Sequence, residues 1–161
     1  MNNVFLLTGG NIGDRILHLQ KACAEIEKQV GTILKKSSIY ETAAWGSVMQ
    51  SSFLNQVLLV STALLPQEVL ETILDIESEM GRKRVEKMGP RIIDIDILFY
   101  EDFIIKSSHL TIPHPEIQYR RFVLAPMAEI ESSFFHPQLK KDIGLLLYEC
   151  KDELVVKPFV L

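Results

Sequence analysis

A chain of 161 residues is within the usual size of one domain and long enough to bury one substantial hydrophobic core, so a single domain over 1–161 is expected. Hydrophobic residues at 47% and charged residues at 24%, with only 8 Gly and 7 Pro, exclude disordered, collagen-like and low-complexity classes. A net charge of −4 argues against a domain whose business is coating nucleic-acid backbone, while leaving room for a local basic site.

Met1-Asn2-Asn3-Val4-Phe5 has no basic stretch ahead of a long apolar run, so no targeting segment is expected. Val4 to Leu7 reads as a buried strand, and Gly9-Gly10-Asn11-Ile12-Gly13 turns the chain into a helix opened by Asp14. In that helix Ile16, Leu19, Cys23, Ile26 and Val30 recur at spacings of three and four, an apolar stripe that ends at Gly31. Two extended segments follow, Ile33 to Thr42 and Phe53 to Thr62, joined by a loop around Gly46 and expected to pair antiparallel. Val57-Leu58-Leu59-Val60 is interrupted at Ser61 and Thr62, far short of a membrane span. Pro66 stands at a first helical position, and Val69, Ile73, Ile76 and Met80 form a second stripe that stops at Gly81. After a charged loop, Ile92 to Tyr100 reads as a strand. The order βαββαβ predicts an α+β fold, a ferredoxin-like sandwich with helices on one face of an antiparallel sheet. The remaining third decorates it, with a short helix at Lys141 to Glu149 and a last strand around Leu154 to Val156. Cys23 and Cys150, lacking CxxC or Cys/His spacing, fit buried thiols in a reducing cytoplasm.

The chemistry concentrates in Gly89-Pro90-Arg91-Ile92-Ile93-Asp94-Ile95-Asp96-Ile97-Leu98. Strand alternation sends Ile93, Ile95, Ile97 and Phe99 to one face and Asp94 and Asp96 to the other. Two carboxylates about 6.5–7 Å apart along one strand face suit Mg²⁺ with phosphates completing its shell; a solvated sheet face with two ordinary aspartates is the other reading. Arg82, Lys83, Arg84, Lys87 and Arg91, opposed by Glu86 alone, give residues 82–91 a charge of +4 and leave −8 on the rest. A cation site beside a basic loop suits a polyphosphate, as phosphoryl-type transfer requires, although a charge run can also be only a solvated face. Gly81 and Gly89-Pro90 bracket the run, which predicts a lid. The early glycine turn lacks the GK[ST] ending of a P-loop and the GxGxxG of a dinucleotide site, so it reads as a tight turn. His114, between Pro113 and Pro115, admits a functional or a structural role, and Arg120 offers another guanidinium. His18, His109 and His136 read as structural or surface groups. Asn55 stands out as a polar group midway along an apolar strand, whereas Phe53 and Phe122 by themselves read as core.

Lys87-Met88-Gly89-Pro90-Arg91-Ile92-Ile93-Asp94-Ile95-Asp96 resembles, at every position, the signature of the 6-hydroxymethyl-7,8-dihydropterin pyrophosphokinase family of folate biosynthesis. The resemblance extends through Asn11, Tyr40-Glu41-Thr42, Phe53-Leu54-Asn55, Glu77 with Gly81-Arg82, Pro113-His114-Pro115 and Arg120-Arg121-Phe122. It implies transfer of diphosphate from ATP to the pterin, releasing AMP. Asp94 and Asp96 would hold two Mg²⁺ ions, and Arg82 and Arg91 would stabilise the transition state. Leu70, Glu77, Arg82, Arg84, Arg91, His114 and Arg120 would serve ATP, while Thr42, Ala43, Trp45, Phe53, Asn55, Asp94 and Phe122 would serve the pterin. Gly10 stands where the family commonly has Ser, Ala43-Ala44 replaces frequent prolines, and Met88 takes a position that is Trp in some members. Neither nucleic acid nor membrane is an expected partner. No nucleophile is evident, so direct in-line attack is expected. A noncatalytic ligand- or RNA-binding module on the same sandwich, and a transferase acting on another flat heterocycle, remain the competing readings; the aromatic pattern of RNA-binding sandwiches is absent.

Overall fold

The computed structural model describes residues 1–43, 51–82 and 90–160. In chain order the elements are β1 (Asn2–Gly10), α1 (Arg15–Gln29), β2 (Gly31–Lys36), β3 (Tyr40–Thr42), β4 (Phe53–Thr62), α2 (Pro66–Glu79), β5 (Asp94–Tyr100), β6 (Ile105–Lys106) and β7 (Thr111–Ile112). A 3₁₀ turn (Ile117–Tyr119) follows, then α3 (Arg121–Glu131), β8 (Phe135–His136), β9 (Lys141–Asp142), α4 (Ile143–Glu149) and β10 (Val156–Pro158). Local chemistry sets the helix starts. Asp14 Oδ1 accepts the Leu17 N–H at 3.1 Å, and Glu68 Oε1 accepts the Leu65 N–H at 2.8 Å just before Pro66 opens α2.

The main sheet runs β10-β3-β4-β1-β5, with β2 also on β4, and every pairing is antiparallel. The single extended segment expected over Ile33 to Thr42 is two strands along one edge of β4, broken at Ser37. There the Ser37 N–H donates to Val57 C=O at 2.9 Å and the Ser37 hydroxyl accepts the Val57 N–H at 3.0 Å, so the break keeps its backbone groups paired. The last strand lies two residues later than the sequence suggests and pairs with β3.

Alternation along β1 divides the interior in two. Val4 and Leu6 pack with Leu19, Ala22 and Ile26 of α1 and Val69, Ile73 and Ile76 of α2. Phe5 and Leu7 pack on the opposite face with Val123, Leu124 and Met127 of α3 and Ile143 and Leu146 of α4. The expectation of helices on one face therefore holds for α1 and α2, while the C-terminal third covers the other. The sequence reading did not foresee α3. Its Pro126, buried within the helix, looks like a breaker, yet its apolar face is what closes the second core. Phe99 also differs from expectation: between Phe5 and Leu6 the register steps from Phe99 to Ile97, and this bulge turns Leu98 and Phe99 together onto the α3/α4 face.

Candidate active site

The site begins as a row of residues across the sheet. Gly9 of β1 pairs with Asn55 of β4 on one side and Asp94 of β5 on the other, and Leu7 likewise lies between Val57 and Asp96. Gly9 has no side chain, so the sheet is hollow between Asn55 and Asp94; a Cβ there would stand 2.1 Å from Asn55 Oδ1. Thr42 pairs with Phe53 at the next position along β3 and β4. Arg120 and Phe122, at the start of α3, come over this end of the sheet. The result is a cavity of about 90 Å³ lined by Leu7, Gly9, Thr42, Ala43, Phe53, Asn55, Arg91, Asp94, Asp96, Arg120 and Phe122. Thr42 Oγ1 is buried without a hydrogen-bond partner among the described residues, a polar atom left for an occupant. The Arg91 guanidinium lies 5.6 Å from the Phe53 ring centre and that of Arg120 lies 5.7 Å from Phe122, so both rings abut positive charge.

A second, larger groove of about 630 Å³ opens beside β5, between α2 and residues 109–115. Leu70, Leu74 and Ile97 contribute apolar wall, and His109, Thr111, His114 and Asp96 contribute polar groups. The His114 N–H donates to Leu98 C=O at 3.0 Å, laying this segment along the outer edge of β5 after the cis Ile112–Pro113 peptide. Burial, then the nearby Arg120 charge, holds the His114 imidazole below its usual pKa. Asp96 lines both cavities.

Behind the cavities is an ion-pair relay. Arg82 bridges Glu77, at 2.9 Å, and Asp94, while Arg91 holds the other Asp94 oxygen at 3.0 Å. Burial works against the Arg82 charge, but Asp94 and Glu77 outweigh it and raise its pKa. Glu77 also accepts the Ile95 N–H at 2.6 Å, fixing the backbone between the two aspartates. The resemblance put Glu77 among the residues serving ATP; it is 2% exposed and lines neither cavity. Arg82 lines neither as well. Burial, followed by the charges of Asp94 and Glu77, pushes the Asp96 carboxyl up to about 7.

Three guanidiniums, of Arg82, Arg91 and Arg120, face three carboxylates, so these groups alone carry no surplus positive charge for a polyphosphate. Among the described residues no cluster of three or more His, Cys, Asp or Glu forms a complete metal cage. Two hard carboxylates, one of them held toward its protonated form by burial and by the neighbouring Asp94 and Glu77 charges, fit an Mg²⁺ that keeps open positions for phosphate oxygens.

Of the residues singled out in the sequence, nine line the first cavity and three, Leu70, Asp96 and His114, line the second. Arg84 and Trp45, with the lid expected over residues 82–91 for the most part, lie outside the described residues. Leu7 and Gly9 were missed, although Gly9 interrupting a strand pattern was a signal of close backbone approach. His109, read as a surface or structural group, lines the second groove.

Comparison with known proteins accords with this geometry. A protein of Aquifex aeolicus named 2-amino-4-hydroxy-6-hydroxymethyldihydropteridine pyrophosphokinase is 45% identical over 159 residues, covering 99% of this chain and 96% of that protein. A Bacillus subtilis protein of the same name is 44% identical over 132 residues, 81% of this chain and 79% of that one. The crystal structure of Plasmodium falciparum HPPK-DHPS wild type with pterin and p-hydroxybenzoate superposes with a TM-score of 0.76 at 22% identity, covering 92% of this chain and 43% of that one, a likeness of fold. The family model described as 7,8-dihydro-6-hydroxymethylpterin-pyrophosphokinase (HPPK) matches residues 5–132. With most of its length matched in this way, the chain belongs to the HPPK family.

Proposed function

We propose that this chain transfers diphosphate from ATP to the hydroxymethyl oxygen of 6-hydroxymethyl-7,8-dihydropterin, giving AMP and the pterin diphosphate, a step of folate biosynthesis in the cytoplasm. The observation that carries the reading is the meeting of two unlike cavities at one aspartate: a small one with aromatic and amide walls, and a large one with apolar and histidine walls. The pterin occupies the first. Phe53 and Phe122 take its faces, with stacking worth about 0.5–1.5 kcal/mol per pair beyond area burial, while Asn55 and Thr42 read its polar edge beside Ala43; by the resemblance Trp45 would serve the pterin as well. ATP occupies the groove along Leu70 and His114, its triphosphate directed toward Asp96, Arg91 and Arg120; by the resemblance Arg84 would serve ATP as well. Glu77 serves by fastening Arg82.

Asp94 and Asp96 would hold two Mg²⁺ ions, which would supply positive charge to neutralise phosphate oxygens. The chain's own residues do the positioning. Asn55 and the two rings orient the hydroxymethyl oxygen toward the β-phosphorus for in-line attack, Arg82 and Arg91 stabilise charge as the bond to AMP breaks, and no covalent enzyme intermediate forms. The βαββαβ frame fits a ferredoxin-like sandwich, one catalytic domain across 1–161, with neither nucleic acid nor membrane as partner.

The test is incubation with ATP, Mg²⁺ and the hydroxymethyl-dihydropterin, following nucleotide products. AMP in step with pterin diphosphate is expected; ADP, or turnover indifferent to the pterin, overturns the reading. Asp94→Ala and Asp96→Ala should each abolish Mg²⁺-dependent AMP formation, and near-normal rates would refute the metal assignment. Arg91→Ala should lower kcat far more than it weakens pterin binding.

A further inference from the structure

The turn after β1 has no part in the roles above, yet its Asn11 is 5% exposed and reaches two distant parts of the chain. Its side-chain oxygen accepts the Arg91 N–H at 2.9 Å, and its own N–H donates to Arg91 C=O at 3.0 Å, eighty residues away. Its side-chain nitrogen donates to Ser51 C=O at 2.9 Å. Arg91 leads into β5 and Ser51 into β4, and the two lead-ins carry Arg91 and Phe53, whose guanidinium and ring meet at the pterin cavity. Asn11 itself lines neither cavity.

Resting on the function proposed above, we infer that Asn11 is a positioning residue: its amide clasps the lead-in of β5 to that of β4 and so sets Arg91 and Phe53 against each other at the cavity wall. The chemistry selects the side chain. A primary amide offers a donor and an acceptor at the same reach, a carboxylate would oppose the Ser51 carbonyl with a second oxygen, and an apolar side chain would leave both backbone groups unpaired. The surroundings hold the clasp in place. A Cβ on Gly10 would stand 2.3 Å from Ile92 O, so the turn lies directly against the β5 lead-in. From the other side Arg15 donates to Ser52 C=O and to the Ser52 hydroxyl, each at 3.0 Å.

The test compares Asn11→Asp, which keeps the acceptor and loses the donor, with Asn11→Ala, which loses both. Both should lower kcat at least tenfold and raise the KM for pterin several-fold, with a smaller rise in the KM for ATP, because no residue lining the nucleotide groove belongs to either lead-in and the triphosphate alone reaches Arg91. On an Arg91→Ala background, Asn11→Ala should cost kcat less than threefold, since the side chain it positions is gone. A change in melting temperature with kcat and pterin KM unaltered would assign Asn11 a purely structural role and overturn the inference, as would an effect confined to ATP. Amide hydrogen exchange at Arg91, measured by NMR without substrates, reads the clasp independently of turnover. Exchange there should quicken at least tenfold in Asn11→Ala, and unchanged exchange refutes the clasp. Failure of the wild-type chain to release AMP would refute the reaction and leave the exchange result standing.

Discussion

In the reaction proposed above, Asp96 sets function and stability in opposition. Its ordinary pKa of 3.8 rises to about 7 on folding through burial and the neighbouring Asp94 and Glu77 charges, so the folded chain binds a proton that the unfolded chain has lost over most of that range. The stability of the metal-free protein should therefore fall as pH climbs from about 4 through 7 and level off above. Asp96→Asn should flatten that slope and raise the melting temperature at pH 8 by at least about 2–4 °C, while eliminating Mg²⁺-dependent turnover. A melting series across pH with and without chelator checks this; an unchanged slope in Asp96→Asn would refute it. Glu77→Gln keeps an acceptor for the Ile95 N–H but removes the charge facing Arg82. A drop in kcat of about five- to tenfold, with ATP KM within twofold, is the expected steady-state result. The aspartate pair was legible because strand alternation separates it from Ile93, Ile95 and Ile97. Phe53 and Phe122 were not legible from pattern alone, since an aromatic that walls a cavity and one that fills a core look the same in sequence. The inward turn of Glu77 was hidden for a related reason: helical spacing gives its angular position, and the demand for a carboxylate comes from β5, eighteen residues on.

Among the elements, the one least visible in the sequence is α3, and its start brings Arg120 and Phe122 to the cavity. Its start is fixed from outside. Asp152 Oδ2 accepts the Arg121 N–H at 3.0 Å, and the Arg121 guanidinium donates to Asp152 C=O at 3.1 Å and Cys150 C=O at 2.9 Å. Asp152→Ala should cost about 1–3 kcal/mol in urea denaturation and raise the KM for pterin through Arg120 and Phe122, with the KM for ATP less affected. The β1 turn is the opposite case, an element visible as a glycine run whose purpose appears only with its neighbours. A Cβ on Gly10 would collide with Ile92 O, so Gly10→Ser should destabilise the chain by about 1–3 kcal/mol. The β2/β3 break and the β5 bulge were unreadable for one reason: both are set by what a strand meets across the sheet, at Ser37 against Val57 and at Leu98 beside Phe5.

For the whole molecule, the governing fact is a sheet covered on both faces. β1 and β4 are central and read as nearly continuous apolar runs, which is why they were easy to find and why alternation could not tell which face each residue serves. The α3/α4 core includes an aromatic group in which Phe99 approaches Phe5 at 6.2 Å and Phe134 at 4.6 Å between ring centres. Phe99→Ala should cost about 3–5 kcal/mol and, by loosening the layer that carries Arg120 and Phe122, weaken pterin binding before it weakens ATP binding; fluorescence titration of each ligand at increasing urea separates the two. The acidic strand, β5, is outermost in the sheet. In the reaction proposed above, reactants would arrive at its flank from two directions and products would depart the same way, with no strand having to unzip.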